Sequence, residues 1–174
     1  MKRVIVDLDV VTVANYPRKK SDADYERTAY AKRFLDYIAS GVKAGEFWLI
    51  VLKSFDSILA LWKHKGMVIK ILDFYHSNSS ESVGTVELIA EFVEKGMDYD
   101  NLLKSFTDRG IKGEDVLIIL VASLRDAAIV TFNRKDLRGR SGEINRLLVA
   151  SGLNIVEIKE PYEFFQDKEG DANA

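Results

Sequence analysis

The chain has 174 residues, 30% of them charged and 47% apolar, the balance of one folded domain and not that of a disordered chain. It contains no cysteine, which excludes thiol catalysis, Cys-ligated zinc and a disulfide scaffold, and suits a reducing cytoplasm. With 25 Lys and Arg against 27 Asp and Glu the net charge is -2, so a surface that is basic all over is excluded and any nucleic-acid binding must come from local patches.

In chain order, Met1-Lys2-Arg3 is followed by too few apolar residues before Asp7 for a signal-peptide core. Val4 to Leu8 then reads as a buried strand with acids, Asp7 and Asp9, at its carboxyl end. Pro17 and Arg18-Lys19-Lys20 read as a basic loop. Ala29, Phe34, Leu35 and Ile38 fall at helical spacing within Asp22 to Ser40, with Asp22 or Asp24 as the cap and Gly41 as the stop. Phe47 to Val51 predicts a second strand, running into a helix from Leu52 to Lys65 that Gly66 ends, with Leu52, Phe55, Ile58, Leu59 and Trp62 on one face. Met67 to Tyr75 reads as helix and His76 to Ser82 as a polar loop. Val86 to Gly96 and Asp100 to Arg109 predict two amphipathic helices.

Gly113-Glu114-Asp115 opens a segment, Val116 to Leu124, that is apolar on every face and so must be buried all round. Ala127 to Thr131 predicts a strand, Phe132 to Asp136 a loop, Ile144 to Ala150 a helix stopped by Gly152, and Asn154 to Ile158 the last strand. The polar tail, 166–174, is expected to fray. The longest apolar runs, Phe47 to Leu52 and Val116 to Ala122, fall far short of a membrane span. The expectation is a soluble, untargeted cytoplasmic protein with one domain over residues 1–165. Strands alternate with helices and several are apolar enough to be covered on both faces, which predicts an α/β fold with a mainly parallel central sheet. Sites in such folds form beyond the carboxyl ends of strands, where Asp7, Asp9, Asn133 and Asp136 fall.

Taken singly, Asp7, Asp56, Asp115 and Asp136 each read as a helix cap, a solvated turn or half of an ion pair. Gathered on one side of an open sheet they would repel one another without a cation. Hard divalent ions take oxygen ligands, and Mg²⁺ keeps waters and few carboxylates beside a phosphate; such an ion suits phosphodiester hydrolysis. Two basic stretches, Arg18-Lys19-Lys20 and Arg134, Lys135, Arg138, Arg140 and Arg146, flank the acids and would hold a phosphate backbone, although a solvated surface reads the same way. His64 and His76 read as solvated, and Phe55 and Trp62 as core residues.

These residues resemble those of PIN-domain ribonucleases, particularly the VapC-type toxins of prokaryotic toxin-antitoxin pairs. Val4-Ile5-Val6-Asp7-Leu8-Asp9-Val10 resembles the family's opening strand, which ends in Asp, any residue, then Asn. Phe47 to Leu61 resembles its second strand and acid-bearing helix, with the acid at Asp56. Gly113-Glu114-Asp115 resembles its third acid, and Thr131-Phe132-Asn133 with Asp136 its Thr-x-Asn/Asp signature. Gly152 to Val156 and Pro161 to Phe165 are similar to its usual ending.

The resemblance implies a three-layer α/β/α sandwich and an endoribonuclease dependent on Mg²⁺ or Mn²⁺. It implies that Asp7, Asp56 and Asp115 hold the metal, with Asp136 or Asn133 completing the shell, while Asp9 and Thr131 support the site. The basic stretches would position RNA. It further implies a homodimer and a cognate antitoxin, and the helices from Asp22 to Ser40 and from Leu52 to Tyr75 offer apolar residues for an interface. The sequence departs from the family at Asp9 in place of Asn, at Asp56 in place of Glu, and at Asn133 where many members carry a fourth Asp. Two other readings stay open: a PIN-like scaffold without catalysis, and a HAD-type phosphohydrolase, whose opening strand also ends in Asp-x-Asp but whose later lysine and paired acids have no counterpart here.

Overall fold

The computed structural model describes residues 1–16 and 24–165; Arg18, Lys19 and Lys20, and the tail 166–174, lie outside the described residues. Five strands, β1 (Lys2–Val6), β2 (Phe47–Leu52), β3 (Glu81–Val83), β4 (Ala128–Val130) and β5 (Ile158–Lys159), form one sheet in the order β3-β2-β1-β4-β5. Every pairing is parallel. Helices cover both faces: α1 (Leu8–Asn15), α2 (Tyr25–Lys43), α3 (Ser54–Ala60) and α4 (Lys65–Asn78) in one layer, and α5 (Thr85–Glu94), α6 (Tyr99–Thr107), α7 (Gly113–Arg125) and α8 (Ser141–Ala150) in the other. The fold is therefore a three-layer α/β/α sandwich. No helix among the described residues is long and apolar enough to cross a membrane.

The central strand carries the logic of the site. Val4, Ile5 and Val6 are wholly buried, because a parallel strand covered on both faces must be apolar throughout. β1 leads to β2 on one side and pairs with β4 on the other, so the chain reverses its lateral direction at the carboxyl ends of β1 and β4, where open α/β sheets bind ligands.

Several boundaries differ from the sequence reading, each for a physical reason. The first strand stops at Val6, and Leu8 already belongs to α1. The β-branched run Val10-Val11-Thr12-Val13 favours a strand by propensity, but Val10, Val11 and Ala14 meet the core at helical spacing. Gly41 does not stop α2; it lies inside the helix, where a Cβ would stand 2.2 Å from Phe47 Cδ2. Gly45, at φ 73°, is the residue that turns the chain out of the helix.

Nor does Gly66 end a long helix from Leu52 to Lys65: α3 closes at Ala60, and Gly66 sits in the first turn of α4, which runs on through His76 to Asn78. The segment read as a loop from His76 to Ser82 runs into β3, a short edge strand with no apolar run to announce it. The last strand is shorter than Asn154 to Ile158. Asn145 of α8 brackets Val156 through both backbone groups, at 2.8 and 3.1 Å, and withdraws it from the sheet ladder.

Candidate functional site

Asp7 follows β1 at the N-cap of α1 and is buried, yet its carboxylate caps no helical N–H. Its backbone N–H continues the ladder to Val130 O at 2.9 Å, and its Oδ2 accepts the Thr131 hydroxyl at 2.8 Å. Asp9, in the first turn of α1, accepts from the Phe132 N–H at 3.0 Å and lies 3.2 Å from the same hydroxyl. That hydroxyl has one proton, and the shorter distance favours Asp7. Thr131 Oγ1 also accepts the Asn133 N–H at 2.9 Å. One buried threonine thus ties the end of β4 to the two acids that leave β1. Behind them the buried Tyr75 phenol of α4 donates to Val6 O at 2.9 Å and fixes the strand end.

A cavity of about 550 Å³ opens over these groups and is lined by Asp7, Asp9, Glu114, Asp115, Asn133 and Asp136, together with Lys112 and an apolar set. Asp115 stands in the first turn of α7, which the position of the helix dipole favours for an anion. Its residue is buried, and its Oδ2 has no hydrogen-bond partner among the described residues. Such an orphaned oxygen costs about 1–3 kcal/mol unless something outside the chain satisfies it. Burial, then Asp7 and Asp136, push the Asp115 carboxyl up to about 6. Burial and the neighbouring Asp9 push Asp7 up to about 7, against the Thr131 hydrogen bond. Asp9 rises to about 6, chiefly through burial, opposed by the Phe132 N–H. Three carboxyls that resist ionisation at one place are a mark of functional sites.

The structure gathers Asp7, Asp9, Asp115, Asn133 and Asp136, with Thr131 beneath them. It does not gather Asp56. That residue is exposed on α3, with Oδ1 3.2 Å from His76 Nε2, because the face of α3 turned inward carries Phe55 and Leu59. Asn133 serves the loop first: its Oδ1 accepts the Asp136 N–H at 3.0 Å.

The second basic stretch is also placed otherwise than expected. Arg134 donates through Nε and Nη2 to the buried Glu160, Arg138 through the same pair to Glu163, and Arg140 to Glu143 at 2.9 Å and to Arg109 O at 2.7 Å. These side chains pin the loop after β4 to the segment after β5 and to α8, whereas Lys135 and Arg146 are exposed and pair with no acid among the described residues.

Sequence reasoning missed Glu114 and Lys112. Glu114 precedes Asp115 and raises both Asp115 and Asp7. Lys112, at the N-cap of α7, stands 4.0 Å from Asp136 Oδ2. The signal for both was adjacency to Asp115 at a helix start.

The donor set fits a hard divalent cation: oxygen ligands only, crowded carboxylates, and one buried oxygen left open. No group of three His, Asp or Glu among the described residues is already drawn around one point. Mg²⁺ does not require such a cage, since it keeps several waters and takes one or two carboxylates. Compared with known proteins, the chain matches no family model and no curated sequence.

Proposed function

We infer that this chain is a metal-dependent nuclease of the PIN type that hydrolyses RNA phosphodiester bonds. The single observation that carries the reading is the buried, unpartnered Oδ2 of Asp115 in a cavity shared with Asp7, Asp9, Asp136 and Glu114. Asp7 and Asp115 are the residues that would hold Mg²⁺ or Mn²⁺, with the charge of Asp136 and Glu114 beside them. A divalent cation there would lower the pKa of water and offset charge gathering on a phosphodiester. Thr131 holds Asp7 in place and keeps one of its oxygens engaged. Asp9, bound to the Phe132 N–H, anchors α1 to the β4 loop and adds to the field that makes the site hungry for a cation. Lys112 lies at the cavity, where its ammonium can donate to a phosphate oxygen.

The RNA path, the homodimer and an antitoxin belong to the same reading through the resemblance. Of the apolar positions offered for an interface, Phe34, Leu35 and Ile38 of α2 are in the core, whereas Leu61 and Ile69 are exposed. The exposure of Asp56 away from the cavity and the engagement of Asn133 Oδ1 by the Asp136 N–H favour a second reading, a binding scaffold without catalysis. One experiment separates the two. The wild type with Mn²⁺ should cleave single-stranded RNA and stop with chelator. Asp115→Asn should bind RNA as tightly or more tightly, having lost a negative charge, while cleavage falls by roughly 10²-fold or more. RNA that is bound yet left uncut by both proteins would establish the scaffold.

A further inference from the structure

The cavity is not acidic throughout. Val13 of α1 and Phe55, Ile58 and Trp62 from α3 and the turn after it also line it. Phe55 is buried and packed against the Tyr75 ring at 5.3 Å, so it belongs to the core. Trp62 differs. It is half-buried, its backbone N–H is fixed on Leu59 O at 3.0 Å, and among the described residues no ring stacks on its indole and no acceptor takes its indole N–H. The chain's other tryptophan, Trp48, donates its indole N–H to Glu81 at 3.2 Å. Tryptophans usually find a partner for that group when they are removed from water.

α3 thus turns apolar side chains to the cavity and keeps its acid, Asp56, outside it. The result is one space with two chemistries, carboxylates for a cation and phosphate, and an aromatic and aliphatic surface for something flat and apolar. A volume of about 550 Å³ lies in the range of small-ligand sites. A nucleotide matches both halves, but only when its base is unpaired, because a base inside a duplex has its two faces covered by its neighbours. Aromatic side chains bind such bases by stacking, with little regard to sequence.

We propose that Trp62, flanked by Ile58 and Val13, is the base-binding wall of this cavity, so that the nucleotide beside the acids enters unstacked and unpaired. This rests on the nuclease reading of the same acids. It assigns Trp62 a role in binding and specificity and none in bond breaking.

The test uses AMP, which has no internucleotide bond to cut, and ribose 5-phosphate, which lacks the base, both with Mg²⁺. In Trp48→Phe the emission comes from Trp62 alone; AMP should quench it at millimolar concentration and ribose 5-phosphate should not. By calorimetry, Trp62→Leu should weaken AMP binding roughly 5- to 150-fold, the range of one lost stack, and leave ribose 5-phosphate unchanged. Trp62→Phe, which keeps a ring, should restore most of the affinity and so separates stacking from a general loss of packing. Equal binding of AMP and ribose 5-phosphate, no AMP binding at millimolar concentration, or wild-type AMP affinity in Trp62→Leu would each overturn the proposal. A failure of Mg²⁺ to raise the wild type's melting temperature falls instead on the metal reading. Trp62→Leu should keep that rise.

Discussion

At the scale of single residues the site is defined by groups held against their preference. Asp7 is pushed up to about 7, and Asp9 and Asp115 to about 6, whereas an aspartate in the unfolded chain titrates near about 3.9. Between these limits the folded protein binds more protons than the unfolded one, so stability must fall as pH rises through that window. Glu91 and Glu163, lowered by their bonds to Arg125 and Arg138, lose their contribution only as pH drops below the usual carboxylate range and leave the window clear. The metal-free protein is therefore expected to melt lower at about pH 8 than at about pH 5. Asp7→Asn should flatten the profile and gain at least about 1.4 kcal/mol at the higher pH, the equivalent of one unit. A wild-type melting temperature that rises over the same interval would show that the carboxyls are not strained. Asp7, Asp9, Asp115 and Thr131 were legible in the sequence because a strand end or a helix start marks each of them. Asp56 misled because periodicity places a residue on a helix but does not say which neighbour its rim faces.

At the scale of elements, two glycines show what a sequence can and cannot tell. Gly41 and Gly66 look alike as helix stops, and neither is one. Gly41 lies in α2 where a Cβ would meet the Phe47 ring at 2.2 and 2.5 Å, while nothing stands within 4 Å of Gly66 in α4. Alanine favours a helix interior by about 1 kcal/mol over glycine, but forcing a methyl into a packed contact costs about 1–3 kcal/mol. Gly66→Ala should therefore stabilise the fold by up to about 1 kcal/mol, and Gly41→Ala should destabilise it by about as much or more. Denaturant titration of the two proteins checks this, and the same sign for both would be inconsistent with the close approach of α2 to β2. The edge strand β3 was missed for a related reason. Its identity comes from partners far along the chain, with Glu81 bound to Arg125 at 2.6 Å and to Trp48, and a local pattern does not contain those partners.

At the scale of the molecule, the fold class followed from the alternation of apolar strands and amphipathic helices, while the site required closure over long distances. Thr131 meets Asp7 across 124 positions, and the β1 to β4 pairing that brings them together joins the first strand to the fourth. A cation bound by Asp7 and Asp115 would bridge the start of α1 and the start of α7, elements of opposite layers, and an unfolded chain cannot present both. Its binding energy must then appear as folding stability. At a hundred times the dissociation constant this amounts to about 2.7 kcal/mol, or roughly 5 to 10 °C in melting temperature for a chain of this length. Mg²⁺ or Mn²⁺ should produce such a rise, chelator should reverse it, and the rise should be larger at about pH 8 than at about pH 5, because protons on Asp7 and Asp115 compete with the metal. Asp7→Asn combined with Asp115→Asn should abolish the rise and leave the metal-free protein at least as stable as before. An equal rise in that double variant would place the cation elsewhere on the surface and leave the orphaned oxygen of Asp115 without a purpose.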